Sequence, residues 1–215
     1  AETEKLSRVD LYGIGTNLTC FSFIQADEKK MERLAEMRKK VENAADHTLE
    51  IVSGGNSAAL DLMMRGGICE GVDNFRLGES LLFGKERSRY TFLPGTRNDG
   101  FILECEVVEA KVKPSLPWGT AGVDSYGRKP VFTNRGEKRK KVICAIGRQD
   151  FDAETATPVD EGILILGASS DHLMLDVTDS VKEYKVGDIV ELRLGYFSVL
   201  RAFTSPYVEK IFLKK

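Results

Sequence analysis

Histidine is scarce in this chain of 215 residues: His47 and His172 are the only two. A histidine-built metal centre or a Ser-His-Asp hydrolase is therefore not expected. The four cysteines, at 20, 69, 105 and 144, are too far apart for a Cys-x-x-Cys metal or redox pair. Cys105 and Cys144 each sit in an apolar strand-like run, as buried free thiols do, which fits a reducing cytoplasm. No apolar stretch approaches the ~20 residues a membrane helix needs, and the polar start, Ala1 to Leu6, has no signal-peptide core. Basic residues are not in excess either: the net charge is −2, which argues against a nucleic-acid binder. The run Lys138 to Lys141 reads as a solvated loop leading into a strand.

What remains is an ordinary globular composition, 42% apolar and 30% charged, long enough for one large or two small domains. The sequence changes character near residue 90. Val9 to Ile14 is a short apolar run ending in glycine. Residues 28–44 carry Met31, Leu34, Met37 and Val41 at helical spacing, closed by Asp46-His47. Leu49 to Val52 reads as a buried strand and Ser57 to Arg65 as a helix stopped by Gly66-Gly67. Val72 to Leu77 is a further strand, and Glu79 to Phe83 a short helix closed by Gly84. Strand and helix alternate three times, which implies parallel strands with helical crossovers.

Beyond residue 100 the pattern is all strand. Phe101 to Val112, Val142 to Ile146, Ile163 to Leu166, Leu173 to Val177, Ile189 to Leu194 and Val208 to Phe212 are separated by Gly, Pro and Asp turns. The expected domains are 1–95, α/β, and 96–215, antiparallel β. Three strand–helix units cannot close an eight-stranded barrel. The first domain is then a small open α/β layer or the second half of a (β/α)8 barrel.

Each strand of the first half ends in a polar segment: Gly13-Ile14-Gly15-Thr16-Asn17, Ser53-Gly54-Gly55-Asn56-Ser57, and Phe75-Arg76-Leu77-Gly78-Glu79. In parallel α/β folds ligands bind at these C-terminal strand ends. Asn56 or Ser57 suits a helix N-cap, but glycines ahead of a helix start also expose N–H groups that hold a phosphate. Arg76, at the mouth of an apolar strand, needs either an acidic partner such as Glu79 or a ligand.

The runs "GIGTNLTCF", "EIVSGGNSAAL" and "NFRLGESLLFG", followed by "AIGRQDFD", "ILGASSDHLMLDVTD" and "SPYVEKIF", closely resemble the pyridoxal-phosphate-dependent amino-acid racemases of the alanine/ornithine racemase family. The resemblance covers nearly the whole chain from about Leu11 onward. It implies the second half of a (β/α)8 barrel followed by an antiparallel C-terminal β domain. No segment resembles the family's cofactor-lysine motif, so the chain is expected to lack it and to need an N-terminal barrel half as partner.

The resemblance further implies that Asn56 and Ser57 form the phosphate turn, with Ser57 holding the phosphate. Gly78 and Glu79 form a second phosphate-contacting turn, and Arg76 lies beside the pyridine nitrogen, counted with the catalytic residues. Asn17 falls near the cofactor ring, where relatives often have histidine. Tyr126 is the candidate second catalytic base, reaching a neighbouring subunit's site. Asp171 matches an acid in the family's segment facing the partner's active site; as a plain residue it suits a turn. The implied protein is a cytoplasmic homodimer acting on a small amino acid, with no metal, nucleic acid or membrane. The cofactor acidifies the α-hydrogen, one base removes it and an acid returns a proton from the other face. The alternative is a non-catalytic α/β protein that binds pyridoxal phosphate or another phosphorylated small molecule.

Overall fold

A computed structural model describes residues 2–123 and 127–214. The chain forms two compact units, Ala1–Gly100 and Phe101–Lys215.

In the first unit β1 (Gly13–Gly15), β2 (Ile51–Asn56) and β3 (Asn74–Arg76) make a parallel sheet in the order β1-β2-β3. Helix α1 (Glu28–Ala45) links β1 to β2. A 3-10 turn (Ser57–Ala59) runs into α2 (Leu60–Met64) between β2 and β3, and α3 (Glu79–Phe83) follows β3. Asp27 starts α1 by accepting the Lys30 N–H at 2.9 Å, and Asp46 ends it in the left-handed region at φ 59°. The helical spacing buries Met31 completely against Val52, Leu62 and Val72. Burying such a side chain stabilises the unit by about 2 kcal/mol.

The parallel alternation is as the sequence implies, but the strand limits differ. Val9 to Tyr12 do not extend β1, because the ladder with β2 begins only at Gly13↔Ile51. Ahead of it the Tyr12 carbonyl takes both the Glu50 and Ile51 N–H groups, and Val9 and Tyr12 remain exposed. Gly54 and Gly55, expected in a loop, are the middle of β2. A Cβ on Gly54 would stand 2.7 Å from the Phe75 ring and 2.9 Å from Val72, so glycine there lets β2 and β3 approach closely. Gly55, at φ +127°, adopts a conformation open mainly to glycine. β3 is shorter than Val72 to Leu77 because the Asp73 carboxylate takes the Val52 N–H at 2.8 Å.

The second unit is an antiparallel sheet of β4 (Ile102–Lys113), β5 (Arg139–Cys144), β6 (Ala156–Pro158), β7 (Leu164–Ala168), β8 (Leu173–Asp176) and β9 (Ile189–Leu194). Its order is β6-β9-β4-β5-β8-β7, and the two outer strands come near each other, so the sheet is nearly closed. Alternation along β4 sends Leu103, Cys105 and Val107 into a core that also buries Phe151, Leu173, Leu175, Val190 and Leu192.

The expectation of strand alone is corrected at the C-terminal end. Tyr196–Thr204 is helix α4. It docks through its small residues Ser198 and Ala202, both buried, with the Ser198 hydroxyl donating to the Asp152 carbonyl at 2.5 Å. Val208 to Phe212 is no strand: Ile211 and Phe212 are exposed and find no ladder to join. No helix among the described residues is long and apolar enough to cross a membrane.

Candidate functional site

The C-terminal ends of β1, β2 and β3 bring together Asn17, Asn56, Ser57, Arg76 and Gly78, which come from three separate stretches of sequence. Asn56 is the helix N-cap: its Oδ1 accepts the Ala58 N–H at 2.9 Å. Its Nδ2 donates to Asn17 Oδ1 at 2.9 Å and to the Leu18 carbonyl at 3.4 Å, tying the β1 end to the β2 end. Ser57 is thereby free of the capping role. Its buried Oγ instead accepts the Gly78 N–H at 3.2 Å, the Ser80 N–H at 3.3 Å and the Ser80 hydroxyl at 3.1 Å. Two turns that the sequence separates by twenty residues thus meet at one oxygen.

Arg76 does not pair with Glu79, whose carboxylate lies 3.3 Å from Arg87. The Arg76 guanidinium reaches back across the sheet. One Nη donates to Ser53 Oγ at 2.5 Å and the other to the Thr16 carbonyl at 2.9 Å. Among the described residues it has no carboxylate partner. Its residue is exposed, so an uncompensated cation stands at the strand ends. Ser53, Ser80 and the Thr16 carbonyl join this network although the sequence reading did not single them out. A serine inside the apolar run Ile51 to Ser53 was the available signal: a buried hydroxyl needs a partner.

These residues suit an anionic, phosphorylated cofactor. N–H donors of Gly78 and Ser80 converge on the Ser57 hydroxyl, a Cβ at Gly78 would meet nothing within 4 Å, and Arg76 supplies a cation with no internal counter-charge. No lysine takes part in the network of these described strand ends. Among the described residues no group of His, Cys, Asp and Glu is placed to hold a metal ion.

The remaining candidates lie elsewhere. Tyr126 falls outside the described residues. Asp171 is exposed on the turn between β7 and β8, where it accepts the Ser170 hydroxyl at 3.1 Å and the Ser169 hydroxyl at 3.3 Å, with His172 at 3.3 Å. The Ser170 bond, with His172 beside it, holds the Asp171 carboxyl below its ordinary range. Its local bonds are those of a turn residue.

No family model matches the chain. An ornithine racemase of Acetoanaerobium sticklandii is 45% identical over 209 residues, covering 97% of this chain and 59% of the relative. A lysine racemase of Thermotoga maritima is 42% identical over 203 residues, covering 94% of this chain and 57% of the relative. The chain therefore spans less than two thirds of the length of either. In fold it is similar to an alanine racemase of Bartonella henselae, solved with covalently bound pyridoxal phosphate. That match has a TM-score of 0.51 at 20% identity and covers 85% of this chain and 48% of the other. At this identity along almost the whole of this chain, the sequence is similar to the ornithine and lysine racemases, and its fold is similar to that of the alanine racemases.

Proposed function

We propose that this chain supplies the cofactor-holding strand ends and the β domain of a pyridoxal-phosphate-dependent amino-acid racemase acting on ornithine, lysine, alanine or a related small amino acid. The observation that carries the reading is that Ser57 meets Gly78 while Arg76, with no carboxylate partner, reaches Ser53 and Thr16 at the same set of parallel strand ends, in a chain 45% identical to an ornithine racemase. Its first unit is read as the second half of a (β/α)8 barrel that an N-terminal half completes, in a cytoplasmic homodimer.

In this reading the Ser57 hydroxyl and the Gly78 N–H hold the phosphate. When bound, pyridoxal phosphate withdraws electrons from the substrate's α-carbon and acidifies its hydrogen. Arg76, always cationic, lies beside the ring nitrogen and disfavours its protonation. Asn56 belongs to the phosphate turn, and Asn17, bonded to it at 2.9 Å, lies near the ring. Tyr126 returns a proton to the α-carbon from a neighbouring subunit, and Asp171 faces that subunit's site. The family's cofactor lysine, the opposing base, has no counterpart at these strand ends.

The test is to incubate the chain, completed by its N-terminal barrel half, with pyridoxal phosphate and L-ornithine, L-lysine or L-alanine in D2O, then to separate enantiomers and read deuterium at the α-carbon. Racemisation with deuterium uptake is expected. Saturable binding of pyridoxal phosphate with no exchange would refute the racemase and leave a non-catalytic cofactor binder. Binding of inorganic phosphate alone would leave a general phosphate-binding protein.

A further inference from the structure

Arg76 is held in a way that no single strand provides. β1 pairs with β2 with Gly15 opposite Ser53, and β2 pairs with β3 with Asn56 opposite Arg76. The Arg76 side chain therefore crosses β2 to reach β1. The space it uses is widened by the glycine at residue 15. A Cβ there would lie 3.2 Å from the Arg76 Nη1 and 3.0 Å from the Ser53 Cβ, tight enough that the guanidinium would have to shift by a few tenths of an ångström. Within that lane the buried Ser53 hydroxyl takes one Nη at 2.5 Å and the Thr16 carbonyl takes the other at 2.9 Å. Two acceptors on different strands fix both the position and the plane of a rigid fork, because a guanidinium carries its five N–H donors in one fixed plane.

A cation that merely needed a partner would not require this. Arg76 has neutral acceptors only, which orient it without cancelling its charge. Its remaining donors stay at the exposed strand ends.

We propose that Ser53 is a positioning residue: acting through the lane widened by Gly15, its hydroxyl sets the plane in which Arg76 meets the ligand. This rests on the cofactor reading above for what Arg76 meets, but not for the clamp itself. Ser53 touches no reacting atom. It acts on the ring side of the ligand, away from the phosphate turn at Ser57, so the two halves of the site respond separately to its loss.

The experiment, on the chain completed by its N-terminal barrel half, compares the wild-type protein with Ser53→Ala, Ser53→Thr and Ser53→Cys, keeping variants whose thermal midpoints stay near the wild type. Cysteine fills the same space while accepting hydrogen bonds poorly, so it serves if alanine disturbs folding. The first readout is the 15N–1H signal of the Arg76 guanidinium, assigned with Arg76→Lys. Resolved, slowly rotating Nη–H groups are expected in the wild type and in Ser53→Thr. They are expected to average in Ser53→Ala and Ser53→Cys. The second readout is titration with pyridoxal phosphate and, separately, with inorganic phosphate. Ser53→Ala is expected to weaken pyridoxal phosphate about tenfold, as for a disturbed bond to a charged group, with inorganic phosphate unchanged. Arg76 signals identical in wild type, Ser53→Ala and Ser53→Cys overturn the clamp. Averaged signals with unaltered pyridoxal phosphate affinity overturn its role toward the ligand. If the wild type shows the clamped signals but binds no pyridoxal phosphate, the cofactor reading fails, and with it the positioning role, while the clamp stands.

Discussion

Replacing Ser57 by alanine separates a structural hydroxyl from one that also holds a ligand. The change removes the oxygen on which Gly78 N–H, Ser80 N–H and the Ser80 hydroxyl converge at 3.2, 3.3 and 3.1 Å. Gly78 is exposed, so its N–H finds water, and the Ser80 hydroxyl can rotate. The Ser80 N–H belongs to a residue only 5% exposed and has no such recourse. One stranded buried donor costs about 1–3 kcal/mol. Taking about 2 kcal/mol in a unit of this size, the melting midpoint without ligand should fall by about 10 °C. The ligand adds a second, independent term. At a pyridoxal phosphate concentration of about 100 Kd, binding stabilises by about 2.7 kcal/mol; a tenfold weaker site at the same concentration leaves about 1.4 kcal/mol. The assay is a pair of melts, without and with pyridoxal phosphate at one fixed concentration. Both the lower midpoint and the increment between the two melts should drop. A lower midpoint with an undiminished increment would make Ser57 a structural residue and nothing more. An unchanged midpoint would refute the network itself.

Asn56→Ala removes the cap on Ala58 and the link to Asn17, and should cost about 1–2 kcal/mol by denaturant unfolding. Asp176→Asn tests the buried pair with Arg139 in the second unit, 2.9 Å apart, and should cost about 2 kcal/mol, less than for a stranded charge because Arg139 keeps the exposed Asp179 at 2.7 Å. The pH dependence of the same pair follows from its titration. Burial opposes the Asp176 charge, but the bonds from Arg139 and Thr178 outweigh it and hold the carboxyl below its ordinary 3.8. A depressed carboxyl contributes stability that is complete above the unfolded value and is lost as pH falls through the folded one. Wild-type stability should therefore decline more steeply below about pH 4 than that of Asp176→Asn. Equal slopes in an acid titration followed by circular dichroism would count against this.

The alternation of strand and helix in the first unit was legible because its signals are local. Helical spacing over 28–44 and the Gly84 stop after Glu79 to Phe83 each act within a few residues, and α1 (Glu28–Ala45) and α3 (Glu79–Phe83) form there. Strand limits were less legible, since a strand ends where its partner ends: Val9 to Tyr12 have apolar character but no ladder. The helix at Tyr196–Thr204 was missed although Val199 and Ala202 face the core at helical spacing, because its most buried positions, Ser198 and Ala202, are small residues.

The site shows the same division between local and distant causes. Gly54 and Gly55 beside Asn56 and Ser57 look like a phosphate loop, yet the reason for Gly54 is the Phe75 ring on the next strand. Arg76 beside Glu79 looks like an ion pair, yet the side chain runs the other way, across two strands to Ser53 and Thr16. For Arg76 the near neighbour in sequence is not the partner, because a parallel sheet sets side by side residues that a whole helix separates along the chain. That same geometry explains how a cation can remain uncompensated here. Glu79 is occupied by Arg87, and the acceptors that reach Arg76 are a hydroxyl and a carbonyl. Neutral acceptors satisfy its donors without discharging it, so the field at the strand ends stays positive where an anionic ligand would bind.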